Sequence, residues 1–175
     1  MNKIKKIKIF GTILACLLTF PFHFLYEKFP SLLTSIISPV NESIWEHMKL
    51  LFSSILISGV LQKIIIKTKK IPVNNVCISN YIAAILSIPI FLVLYLPIYV
   101  LMGKNMIITI IIMFIAIIIS EIISYKIEMK KDLKLENITI ILAIITYIIF
   151  YILTIHPLSI ELFRDPIHNI YGIKK

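Results

Sequence analysis

Long runs of Ile, Leu, Phe and Val, separated by short polar segments, dominate the pattern of this chain. A helix needs about 20 consecutive apolar residues to cross the hydrocarbon core of a bilayer. Runs of about this length predict membrane-spanning helices near residues 9–25, 50–66, 78–102, 106–125 and 138–155. The pattern therefore predicts an all-α fold, a polytopic helix bundle of about five transmembrane helices in a single domain over residues 1–175.

Composition supports this prediction. Hydrophobic residues make up 59% of the chain and charged residues 15%, whereas soluble domains have roughly 45–50% apolar and about 25% charged residues. The net charge of +9 would indicate nucleic-acid binding in a soluble protein. Because the lysines flank the apolar runs, we expect a lipid bilayer as the partner and no nucleic acid.

The lysines also predict the orientation of the bundle, because cytoplasmic segments carry an excess of Lys and Arg. Three groups of four lysines fall on one predicted side: Lys3, Lys5, Lys6 and Lys8; Lys63, Lys67, Lys69 and Lys70; Lys126, Lys130, Lys131 and Lys134. This side is predicted to be cytoplasmic, with the N-terminus inside and the C-terminus outside. No small-x-small cleavage site follows the first apolar run, so we expect a retained helix there instead of a signal peptide.

Polar chemistry concentrates on the predicted outer side, in a loop over residues 27–49 and a tail over residues 156–175. All four histidines and five of the nine acidic residues lie on this side. In the loop, Ser38-Pro39 or Asn41 can start a helix, and Ser43 with Glu46 matches a capping box. The sequence therefore predicts a helix that begins in the loop and continues into the second span.

On that helix Glu42 and Glu46 are four residues apart and would share one face. Two carboxylates at this spacing need a positive partner, for which Lys49 and a divalent metal ion are the candidates. A solvated ion-pair face is the simpler alternative. Trp45 is expected to anchor the helix at the water–lipid boundary.

Imidazole and carboxylate groups are the ligands that Zn²⁺ prefers, so a divalent metal such as zinc is a candidate cofactor. The candidate ligands are His23, Glu27, His47 and His156, and Glu46 or Glu42 is the candidate general base. Asp165-Pro166 predicts a turn in the tail. The candidate residues for binding a small ligand, an envelope component or another partner are Asn41, Ser43, Trp45, Lys49, Asp165 and Tyr171.

Three functions remain open. The first is a binding, transport or accessory role, in which the outer polar cluster recognises a ligand or partner. The second is a membrane-embedded enzyme, such as a metal-dependent hydrolase of lipid or envelope substrates. The third is a structural role, in which the motif docks the outer loop on the C-terminal tail.

The run Pro39-Val40-Asn41-Glu42-Ser43-Ile44-Trp45-Glu46-His47-Met48-Lys49-Leu50, preceded by His23-Phe24-x-Tyr26, resembles a family of small bacterial membrane proteins catalogued as domain of unknown function 6512. The ending Leu162-Phe163-Arg164-Asp165-Pro166, with Tyr171-Gly172-Ile173, is similar to the same family. The resemblance implies a multi-pass protein of the bacterial cytoplasmic membrane and supplies no reaction. This chain departs from the family pattern at Ile167-His168-Asn169-Ile170, so no role is carried over to His168.

The orientation is tested by fusing a reporter that is active only in the cytoplasm. A fusion after Lys175 should be silent, whereas a control fusion after Lys134 should be active, because Lys134 lies in a predicted cytoplasmic loop. An active C-terminal fusion would show that this orientation is wrong.

Overall fold

The computed structural model describes residues 3–173, so the predicted tail residues Lys174 and Lys175 lie outside the described part. Its helices are α1 (Lys3–Lys28), α2 (Leu32–Ile37), α3 (Ile44–Thr68), α4 (Val76–Met102), α5 (Met106–Glu128) and α6 (Glu136–Ile155), followed by a short 3-10 helix (Glu161–Phe163). Five of these helices are long and apolar enough to cross a membrane. The predicted all-α class and the number of candidate membrane-spanning helices are therefore confirmed for residues 3–173.

Helices α1 and α3 begin several residues before the apolar runs that predicted them, and α6 begins two residues before its run. Helix α2 was not predicted. The side chain of Ser31 caps α2, and it exchanges hydrogen bonds with Thr34 in a capping box. Short polar caps of this kind satisfy the free amides of a first helical turn. They carry no hydrophobic periodicity, so a search for apolar runs does not find α2.

Helix α3 is the centre of the bundle. It contacts α1, α2, α4, α5 and the 3-10 helix. Of the residues in its most apolar 18-residue stretch, 61% are buried, whereas the corresponding share in α1, α4 and α6 is 17%. Small residues allow this close packing: Ser58 Oγ donates to the carbonyl of Gly11 at 2.6 Å, and Gly59 lies against the side chain of Asn80. The serines that interrupt the second apolar run therefore pack against neighbouring helices.

Polar contacts around Lys8 join α1, α4 and α5 at the end of the bundle opposite the loop that precedes α3. The ammonium of Lys8 is buried and lies 2.7 Å from Glu121 Oε2 and 2.9 Å from Glu128 Oε1. It also donates to Ser124 Oγ at 2.6 Å and Asn80 Oδ1 at 3.2 Å. Lys8 was predicted as part of a basic flank, and in the structure it also ties three helices together.

The close approach of α3 and α4 leads to a stability prediction. A Cβ on Gly59 would lie 2.6 Å from Asn80 Cγ, so Gly59→Leu should lower the free energy of unfolding by about 1–3 kcal/mol through overpacking. The matched control is Val60→Leu, at the next residue of the same helix, where the side chain is 58% exposed. Thermal unfolding in detergent measures both, and an equal effect of the two variants would contradict the packing account.

Candidate functional site

The loop before α3 turns at residues 41–43, and this turn separates Glu42, in the loop, from Glu46, in the helix. Asn41 Oδ1 accepts from the amide of Ser43 at 2.9 Å, and Ser43 Oγ caps α3 by accepting from the amide of Glu46. The helix therefore begins at Ile44, so the predicted cap at Ser43 is confirmed, and the alternative starts at Ser38-Pro39 and Asn41 are wrong. Because Glu42 precedes the helix, Glu42 and Glu46 do not share a helical face.

Glu46 forms a buried ion pair with Lys49, its predicted partner. Lys49 Nζ lies 2.5 Å from Glu46 Oε2, and the two side chains are 0% and 2% exposed, so the alternative of a solvated ion-pair face is wrong. Lys49 also donates to the carbonyl of Ser35 at 2.7 Å, Val40 N donates to Glu46 Oε2 at 3.0 Å, and Thr154 Oγ1 donates to Glu46 Oε1 at 2.9 Å. This network joins α3 to α2, the loop and α6.

Two further residues of the motif contact the C-terminal tail. Asn41 Nδ2 donates to the carbonyl of Gly172 at 2.8 Å, and the Trp45 ring stacks on Phe163 with centroids 4.7 Å apart. Gly172 has a positive φ of 67°, and a Cβ there would lie 2.7 Å from the carbonyl of Thr154, so a larger side chain would be strained. The loop and the tail are thus packed together at this end of the bundle.

Asp165 organises the turn in the tail. Its Oδ1 accepts from the amides of Ile167 at 2.8 Å and His168 at 3.3 Å, and Oδ2 lies 2.9 Å from Nδ1 of His168. Burial opposes ionisation, but these hydrogen bonds outweigh it and lower the pKa of Asp165 below its ordinary value of 3.8. Tyr171 is exposed and pairs through its backbone with Arg164.

Glu42 lies at the meeting point of α1, α3 and the loop between α4 and α5. Its Oε1 is 3.5 Å from His23 Nε2, and its Oε2 is 3.8 Å from His47 Nε2 and 2.5 Å from Lys104 Nζ. We call these four residues the histidine–glutamate cluster. Burial favours the neutral acid, but the hydrogen bond from Lys104 and the nearby positive charges outweigh it, so the pKa of Glu42 lies below its ordinary value of 4.5.

The hydrogen bonds of the two histidines differ. His47 Nδ1 lies 2.8 Å from the carbonyl oxygen of Ser43, and because a carbonyl only accepts, Nδ1 carries the hydrogen. His23 Nδ1 is buried and has no hydrogen-bond partner among the described residues. The two rings meet edge to face with centroids 5.5 Å apart.

The structure brings together only some of the predicted metal ligands. One donor atom from each of His23, Glu42 and His47 lies within 4.8 Å of the others. Glu27 and His156 are exposed, and neither belongs to this group of donor atoms. Lys104 was missed as a site residue because, in the sequence, it is one lysine in a short loop with no signal that α4 and α5 would place it beside Glu42.

A cavity of about 480 Å³ adjoins the histidine–glutamate cluster and lies among α1, α3, α4 and α5. Its walls are mostly apolar and include Phe91, Tyr95, Met113 and Phe114. The Phe91 and Tyr95 rings stack with centroids 4.9 Å apart, and Tyr99 follows at 5.6 Å, so aromatic rings run along α4 at four-residue spacing. The cavity thus has an apolar body and one polar end.

The buried ion pair leads to a stability prediction. Lys49→Met leaves the carboxylate of Glu46 buried without its cation and should lower the free energy of unfolding by about 3–5 kcal/mol. Lys63→Met, on the same helix, is the matched control, because the Lys63–Glu136 pair is exposed and should contribute no more than about 1 kcal/mol.

The double variant Lys49→Met/Glu46→Gln should recover part of the lost stability, since it removes the uncompensated charge. Thermal unfolding in detergent measures the three variants beside the wild type. If Lys49→Met were no more destabilising than Lys63→Met, the ion pair would not hold the loop in place.

Comparison with known proteins identifies the family. The family model described as a family of unknown function (DUF6512) matches residues 1–173. Neither the curated proteins nor the solved structures gave a significant match. The resemblance inferred from the Asn-Glu-Ser-x-Trp-Glu-His run is therefore confirmed over nearly the whole chain. The chain belongs to the DUF6512 family, whose function is unknown.

Proposed function

We propose that the chain is a multi-pass membrane protein that binds an amphiphilic ligand. The cavity among α1, α3, α4 and α5 would hold the apolar part of the ligand, and the histidine–glutamate cluster would hold its polar head. The observation that carries the proposal is the shape of the cavity, whose walls are mostly apolar and whose charged groups lie at one end. Transport and accessory roles are both compatible with such a binding step.

The size and lining of the cavity support this proposal. Ligand sites are typically clefts of about 300–1,000 Å³ with apolar walls and a few convergent polar groups, and this cavity measures about 480 Å³. Phe91, Tyr95 and Tyr99 offer an aromatic wall along which an alkyl chain can pack. At the polar end, the His23, Glu42, His47 and Lys104 side chains supply hydrogen-bond donors and acceptors.

The contacts of Glu46 favour binding over a hydrolytic reaction with Glu46 as its base. Both carboxylate oxygens are engaged by Lys49, Val40 and Thr154, and Glu46 does not line the cavity. A general base must come within hydrogen-bond reach of the proton that it removes. In this proposal Glu46, Lys49, Asn41 and Trp45 hold the loop and tail in place, and Glu42 is the carboxylate that meets the ligand.

The five apolar helices support a membrane location. The bacterial cytoplasmic membrane is part of the proposal, and it rests on the family resemblance and on the distribution of lysines about the predicted spans.

Photolabelling tests the binding site. A fatty acid with a diazirine at the end of its chain, added to the purified protein in detergent, should label cavity residues of α4 and α5 on illumination. Met113→Trp narrows the cavity and should abolish this labelling. The matched control is Ile115→Trp on the same helix, where the side chain is 41% exposed and does not line the cavity.

Circular dichroism and gel filtration establish that both variants are folded, and Ile110→Trp is a second variant of the cavity lining. The proposal would be abandoned if label spread evenly over exposed helix faces, or if folded Met113→Trp and Ile110→Trp were labelled like the wild type.

A further inference from the structure

We propose that His23, Glu42 and His47 together bind a divalent metal ion with the ligand preference of zinc, at the polar end of the cavity. This ligand set differs from the one predicted from the sequence, since it lacks Glu27 and His156 and includes Glu42. The metal site is argued from these three side chains alone. The further inference that the ligand has an anionic head group rests also on the proposed binding function.

The distances within the group suit a zinc ion. Zinc bound to nitrogen and oxygen at about 2.0–2.1 Å in tetrahedral geometry places its ligand atoms about 3.3–3.4 Å apart. Glu42 Oε1 lies 3.5 Å from His23 Nε2, Glu42 Oε2 lies 3.8 Å from His47 Nε2, and one donor atom from each of the three residues lies within 4.8 Å of the others. Small rotations of these side chains would therefore complete three of the four positions.

The orientation of the His47 ring is that of a metal ligand. Its Nδ1 hydrogen is donated to the carbonyl of Ser43, so in the neutral ring Nε2 presents a lone pair toward the carboxylate of Glu42. A lone pair that faces a carboxylate is repelled unless a cation lies close to both; the ammonium of Lys104, 2.5 Å from Glu42 Oε2, is one such cation, and a bound metal ion would be a second. Metal-binding histidines usually donate their second ring nitrogen to a carbonyl or carboxylate in this manner.

The three residues come from separate places in the chain. His23 belongs to α1, His47 to α3 and Glu42 to the loop before α3, and the packing of α1 against α3 brings them together. All three line the cavity. With three protein ligands, the fourth position of the ion would be open to a molecule in the cavity, as in zinc sites that bind substrates.

The charge of the site then defines the class of ligand. An imidazole that binds a metal ion is neutral, so in the metal-bound site the two imidazoles, one carboxylate and the ammonium of Lys104 would sum to about zero, and a divalent ion would leave the polar end positive. A carboxylate or phosphate head would neutralise this charge and occupy the open position. An amphiphile with an anionic head is therefore the class expected for this cavity.

The four histidines of the chain supply matched variants for the test. Purified, tag-free protein in detergent is stripped with a chelator, and Zn²⁺ affinity is measured by competition with a chromophoric chelator. We expect one ion per chain, with affinity reduced by more than about 100-fold in His23→Gln and His47→Gln, since even outer-shell changes cost roughly 10–100-fold. His156→Gln and His168→Gln should bind as the wild type does.

Cobalt provides a second readout, since Co²⁺ in the same site should give the intense visible absorption of a tetrahedral complex. His23→Gln is the variant of choice if His47→Gln fails to fold, because the His23 side chain is 28% exposed. The inference is overturned if the wild type binds no more zinc than His23→Gln, or if His156→Gln and His168→Gln lose the ion equally.

The photolabelling experiment separates this inference from the proposed function. Zinc binding without cavity labelling would support the metal site and contradict the proposed amphiphile-binding function. Cavity labelling without zinc binding would keep the function and overturn the metal site.

Discussion

The buried ion pair between Lys49 and Glu46 is the interaction on which the rest of this end of the molecule depends. A charge removed from water is tolerated only when its remaining hydrogen-bonding groups are satisfied. Here the partners come from the carbonyl of Ser35, the amide of Val40 and the hydroxyl of Thr154. To supply them, α2, the loop before α3 and the end of α6 must all lie beside the first turn of α3.

The candidate site follows from this constraint. The loop that gives its amide to Glu46 also places Glu42 outside the helix, where it faces His23 and His47. The two carboxylates, four residues apart in the sequence, therefore have different roles: Glu46 is buried in the ion pair, and Glu42 lines the cavity. The segment from Asn41 to His47 combines the two, since Asn41 and Trp45 contact the tail while Glu42 and His47 border the cavity.

The hydrophobic pattern predicted the five long helices because a helix that crosses a bilayer must be predominantly apolar over about 20 consecutive residues. The position of the α3 start was not predictable in this way, because it depends on whether Ser43 or Asn41 caps the helix, and both residue types can do so. Lys49, three residues beyond Glu46, was one of the two partners predicted for the carboxylates, and the structure pairs it with Glu46. The meeting of His23, Glu42 and Lys104 depends on helix packing between distant segments, and the exposed positions of Glu27 and His156 depend on it too. No local sequence pattern predicts that packing.

The central claim is that the cavity next to the histidine–glutamate cluster holds an amphiphile. Native mass spectrometry of the protein released from its own membrane tests this claim without a chosen probe. The account predicts a one-to-one adduct with an anionic amphiphile in the wild type and in Ile115→Trp, and its loss in Met113→Trp. A wild-type spectrum without any adduct, or an adduct that persists in folded Met113→Trp, would contradict the account.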